Sequence, residues 1–130
     1  MNFSEHPQKQ RRGLTRLRYA LQYSLDGLAA GIRSSSAFRL ELALAVPGVV
    51  LAFFLGRNWL ESAILIMVLA LVPIVEMINC GIEATIDRIS YEIHPLSKQA
   101  KDFGSAAVLL SCLLCGGVWL SMLCLRFLSY

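Results

Sequence analysis

The chain has 130 residues, 56% of them hydrophobic, and a mean hydropathy of +0.59. A soluble domain of this size could not bury so much apolar surface, so the composition predicts one small all-α membrane domain and excludes a water-soluble globular enzyme. The net charge of +3, with basic residues massed ahead of the first apolar run, suits an anionic lipid leaflet; with no groove-reading or base-stacking motif, no nucleic-acid partner is expected.

Residues 1–12 are polar and expected to be disordered, and residues 13–130 to form a single membrane domain. From about 13 to 34 a helical period takes hold. Leu14, Leu17, Leu21, Leu25, Leu28 and Ile32 share one face, while Arg16, Tyr23 and Asp26 occupy the other. This pattern predicts an amphipathic helix lying in the membrane surface, the alternative being a soluble packing helix. Ser34-Ser35-Ser36 breaks it, and Ser36 is the expected cap of a first span over about 38–57, with Arg39 and Arg57 reaching the two interfaces. A second span is predicted over about 61–89 and a third over about 98–128, capped by Ser97 after Pro95. Pro47 and Pro73 fall inside the first two spans, where neighbours must satisfy the freed carbonyls.

Three spans put the termini on opposite sides. Seven Lys or Arg precede the first span and three more, Arg88, Lys98 and Lys101, lie between the second and third, against Arg57 and Arg126 on the other side. That asymmetry predicts a multi-pass protein of the cytoplasmic membrane with its N-terminus in the cytoplasm. No cleavable signal peptide is expected, because the first apolar run begins about 40 residues in. Cys112 and Cys115 have metal-like spacing, but two thiols without His partners in an apolar span favour plain packing.

The second span carries the chemistry. Glu76, Asn79, Glu83 and Asp87 fall within an arc of roughly 80° on one helix face. An ionisable group at membrane depth costs about 2.5 to 3.5 kcal/mol even on gentle scales, so such a stripe faces protein, water or an ion. The deeper Glu76 is placed to act as a base and the shallower Glu83 to bind Mg²⁺, with Asn79 orienting either and Lys101 neutralising phosphate. The same carboxylates also fit a small cation-coupled transporter. No Walker A loop or kinase Gly-rich loop is present, so a nucleotide site must be built differently. His94, in the loop beside the stripe, fits either a plain loop position or a nucleotide contact.

Val75-Glu76-Met77-Ile78-Asn79-Cys80-Gly81-Ile82-Glu83-Ala84-Thr85-Ile86-Asp87-Arg88 resembles the signature of the bacterial integral-membrane diacylglycerol kinases, and Ala100-Lys101-Asp102-Phe103-Gly104-Ser105-Ala106-Ala107-Val108 resembles that family's second signature. The similarity runs from about Gly13 to the last span. It implies a homotrimeric helical bundle in the bacterial inner membrane that transfers the ATP γ-phosphate to diacylglycerol, giving phosphatidic acid. By the same resemblance Glu76 is the general base with Asn79 beside it, and Glu83 ligates Mg²⁺. Arg16, Tyr23, Glu83, Glu92, His94, Lys101 and Asp102 match ATP-binding positions, and Arg16, Glu76 and Ser105 lipid-binding ones.

One position departs from that pattern. Where the family carries a second acidic metal ligand this chain has Ser35, so a weaker Mg²⁺ site is expected, with Glu41 the nearest remaining acid. Within the fold, the His94-Pro95-Leu96 loop resembles the undecaprenol kinase branch, whereas Gly104-Ser105-Ala106-Ala107 leans toward diacylglycerol kinases. A transporter or an inactive scaffold is the alternative of another class.

Overall fold

The computed structural model describes residues 13–90, 92 and 94–128. The segment expected to be disordered, residues 1–12, lies outside them. The described residues form four helices, α1 (Leu14–Ser34), α2 (Ser36–Leu55), α3 (Trp59–Ile89) and α4 (Pro95–Phe127), and no strand. They fall into two compact units, one holding α1 and the other α2 to α4.

α1 begins after Gly13, whose φ of +69° only glycine adopts at little cost. From that conformation the Gly13 carbonyl accepts from Arg16 N and Leu17 N at 3.1 and 3.4 Å and closes the first turn. The helix has the predicted extent, with Leu17, Leu21, Leu25 and Ile32 along one stripe and Arg16 and Tyr23 opposite. Ser24 and Ser34 turn their hydroxyls back onto the Ala20 and Ala30 carbonyls, which keeps both inside the helix.

In the second unit the helix ends correct four predicted boundaries. α2 is capped by Ser35 rather than Ser36: the Ser35 hydroxyl accepts from Phe38 N at 3.0 Å with its own backbone extended. Three consecutive serines are equivalent cap candidates in sequence, and a contact to α3 described below selects among them. α2 stops at Leu55, so Arg57 stands outside the helix, with its amide donating to Glu61 and its guanidinium to the Leu125 carbonyl. Asn58 caps α3 by accepting from Glu61 N, starting that helix at Trp59. α4 is capped by His94 rather than Ser97. Its Nδ1 accepts from Leu96 N at 3.2 Å, and Pro95 takes the first helical position, where a missing N–H costs nothing.

α2, α3 and α4 are each long and apolar enough to cross a membrane. α3 packs mainly on α4 and secondarily on α2. Pro47 and Pro73 lie within α2 and α3, which continue through both. The main buried apolar cluster is small: Ala52, Leu55 and Leu65, backed by Ile66, Val118, Trp119, Met122 and Leu123, with Phe38 and Val72 buried outside it. Trp119 places its indole N–H on the Leu65 carbonyl at 3.3 Å. Most other apolar side chains of these helices point outward, as is stable where the solvent is lipid and helices associate by close packing rather than by hiding from water.

At 31 residues α3 is about 46 Å long, well beyond a hydrocarbon layer of about 30 Å. Glu76 stands about 26 Å along it from Trp59, and Asp87 about 42 Å. With Trp59 at one boundary of such a layer, the polar stripe would straddle the other.

Candidate active site

The stripe on α3 is graded in depth. Glu76 and Asn79 are buried, at 5% and 7% exposure, whereas Glu83 is exposed and Asp87 partly so. Each member has its own polar contact. Glu76 Oε1 accepts from the Ser35 hydroxyl at 2.9 Å and from the Cys80 thiol at 3.6 Å. Asn79 Nδ2 donates to Glu83 Oε1 at 3.3 Å, one turn on. Lys101 of α4 pairs with Asp87 at 2.6 Å.

The close approach of α3 and α4 rests on glycine at 104. A Cβ there would collide with Asn79 Oδ1 and meet Cγ at 3.1 Å, so only glycine lets the Asn79 amide lie against α4. Asn79 Oδ1 is sealed without a hydrogen-bond partner among the described residues, as is Glu41 Oε2 on α2. A sealed, unpaired amide oxygen costs free energy, and the Nδ2 bond to Glu83 and the packing on Gly104 hold the side chain in place against that cost.

Beyond the stripe, where α3 gives way to α4, a cleft of about 350 Å³ is lined by Asp87, Ser90, Glu92, His94, Ser97, Lys98, Lys101 and Asp102. Lys98 and Asp102 form an ion pair at 2.5 Å across one turn of α4, so Asp102 faces a cation of its own helix. With Nδ1 spent on the helix cap, Nε2 is the ring nitrogen left for another partner. Ser90 Oγ accepts from Glu92 N at 2.9 Å and shapes the turn.

The structure thus sets Ser35 on Glu76 and Asn79 on Glu83 as two hydrogen-bonded pairs along α3, and Glu92, His94, Lys101 and Asp102 around one cleft. Ser105 lies exposed on α4, one residue after Gly104. Arg16 and Tyr23 lie on α1, in the other unit. Three contributors escaped the sequence reading. Cys80 stands four residues after Glu76, a spacing that could have flagged a same-face donor. Lys98 lies one helical turn from Asp102, again a legible spacing. Gly104 carried no signal until the α3–α4 register was known.

Residues 22–123 match the family described as prokaryotic diacylglycerol kinase. Among similar proteins, a diacylglycerol kinase of Pseudomonas aeruginosa is 43% identical over 120 residues, covering 92% of this chain and 98% of its own. One from Haemophilus influenzae is 41% identical over 82% of this chain and 91% of its own. One from Escherichia coli K12 is 41% identical over 88% and 94%.

Proposed function

This chain belongs to the prokaryotic diacylglycerol kinase family, and from that premise we propose the following mechanism. The protein is a membrane kinase that uses ATP to phosphorylate diacylglycerol, and the undecaprenol kinase, transporter and scaffold alternatives are not favoured. Glu76 is the general base, with Asn79 beside it, and residues 13–130 work as one membrane kinase domain. The observation that carries the site assignment is the depth gradient along α3. A carboxylate buried about 26 Å along α3 from Trp59 suits the depth of a lipid hydroxyl, and Glu83 and Asp87, two and three turns further on, are open to water, where a nucleotide would arrive.

Glu76 accepts the proton of the lipid hydroxyl as its oxygen approaches the γ-phosphorus. Lys101, His94, Glu92 and Asp102 line the space for the nucleotide, with the Lys101 ammonium exchanging Asp87 for phosphate oxygens as ATP enters. Arg16 and Tyr23 keep the nucleotide-binding role that the family resemblance implies for them, and Arg16 and Ser105 the lipid-binding one. Phosphoryl transfer asks mainly for positioning and charge stabilisation, which such an arrangement supplies.

The residues present fit Mg²⁺. Glu83 offers a hard, exposed carboxylate with one oxygen on Asn79 and the other unbonded among the described residues. Mg²⁺ commonly takes one or two protein carboxylates and completes its shell with water and phosphate. Glu83 would hold it, with the Ser35 hydroxyl the only group at the position of the family's second acid. When bound, the ion would offset the negative charge of the phosphates. A homotrimer in the bacterial inner membrane, N-terminus cytoplasmic, completes the proposal; the excess of Lys and Arg ahead of α2 and between α3 and α4 supports that orientation.

The test is phosphorylation of diacylglycerol by purified protein in detergent micelles. Glu76→Gln should lower turnover by roughly 10²- to 10⁴-fold with Mg-ATP binding retained, and Glu83→Gln should raise the Mg²⁺ requirement. Full activity in both variants would overturn the site assignment.

A further inference from the structure

Ser35 is joined on both sides. Its oxygen accepts from Phe38 N at 3.0 Å, which fixes the side chain as the cap of α2, and its single proton is donated to Glu76 Oε1 at 2.9 Å. A serine hydroxyl has one hydrogen to give, so its direction is set by those two partners. The Cys80 thiol converges on the same oxygen from one turn along α3. Glu76 Oε1 is thereby occupied twice, while Oε2 accepts no hydrogen bond among the described residues and is not one of their sealed unpartnered atoms.

We propose that Ser35 is a positioning residue: the hydroxyl clamps Glu76 by Oε1 and leaves Oε2 as the atom that takes the substrate proton. This rests on the assignment of Glu76 as base. In the step so organised, the proton of the lipid hydroxyl passes to Oε2. The hydroxyl oxygen bonds the γ-phosphorus, and the bond from that phosphorus to the β,γ-bridging oxygen breaks with its electron pair leaving on ADP. A hydroxyl committed to the base contributes its charge-assisted bond to orientation of the carboxylate rather than to a cation. The serine in this chain is then a change of role for the position, from holding metal to aiming the base, and α2 is the arm that carries it.

The experiment compares kcat and KM for Mg-ATP and diacylglycerol in micelles for three Ser35 variants beside Glu76→Gln. Glycine caps a helix nearly as well as serine, so Ser35→Gly removes the donor and spares α2. It should lose about tenfold or more in kcat with KM for Mg-ATP within roughly twofold. Ser35→Thr keeps both cap and donor and should retain most of the turnover. Ser35→Asp keeps the cap but sets a carboxylate against Glu76, and should lower kcat further with no gain in Mg²⁺ affinity. A Ser35→Gly enzyme with unchanged kcat, or a Ser35→Asp enzyme that is faster and needs less Mg²⁺, overturns the inference and returns Ser35 to the metal. If Glu76→Gln also keeps its turnover, the base assignment has failed; if Glu76→Gln is inactive, only the role of Ser35 has.

Discussion

At one end of the α2–α4 unit Ala52, Leu55 and Leu65 are enclosed by Trp119, Met122 and Leu123. At the other, Ser35, Glu76, Asn79, Glu83, Asp87 and Lys101 are tied by hydrogen bonds and an ion pair. The first end is held by shape, since a lipid solvent leaves dispersion as the main term favouring helix contact. The second is held by direction: each polar group meets particular partners in fixed places, and the sealed Asn79 Oδ1, unpaired among the described residues, costs the arrangement some stability. The same helices thus separate durability from chemistry along their length, and substitutions at the two ends should separate the corresponding measurements.

The largest effect is expected at the polar end. Lys101→Met should cost about 10²- to 10³-fold in kcat/KM for ATP while the detergent-solubilised protein melts as before. Leu65→Ala, at the apolar end, should do the reverse: about 2 to 5 kcal/mol lost in a denaturation titration, with turnover per folded molecule unchanged. Gly104→Ala blurs the division, because its methyl must displace the Asn79 amide. About 1 to 3 kcal/mol of stability should go together with a fall in kcat/KM, and if the two losses separate, Asn79 does not link packing to the site. Trp119→Phe should be smallest, near 1 kcal/mol for the indole hydrogen bond to Leu65, without a change in kinetics.

Much of this was legible in the chain itself. The 3.6-residue period showed that Glu76, Asn79, Glu83 and Asp87 share a face, because that depends on one helix alone. Lys101 belongs beside the stripe by its place in the first turns of the next helix, whereas its pairing with Asp87 is visible only in the structure. The caps were misjudged by one residue at Ser35 and three at His94, since neighbouring candidates have equal local merit and tertiary contacts decide. The Ser35–Glu76 bond spans 41 residues and depends on how α2 slides along α3, which no local pattern encodes. Gly104 is likewise meaningful only once Asn79 is seen opposite it.

The length of α3 has a consequence for the enzyme's surroundings. If the exposed Trp59 ring sits at one membrane surface, as exposed tryptophans at helix ends commonly do, the distance to Glu76 is set by the helix, whereas the distance to the opposite headgroups is set by the acyl chains of the host membrane. A bilayer thicker than that span draws Glu83 and Asp87 toward hydrocarbon, and a thinner one lifts Glu76 past the depth of its lipid substrate. Turnover in vesicles of increasing chain length should therefore rise to an optimum and fall again, making the protein a gauge of the membrane whose lipids it modifies.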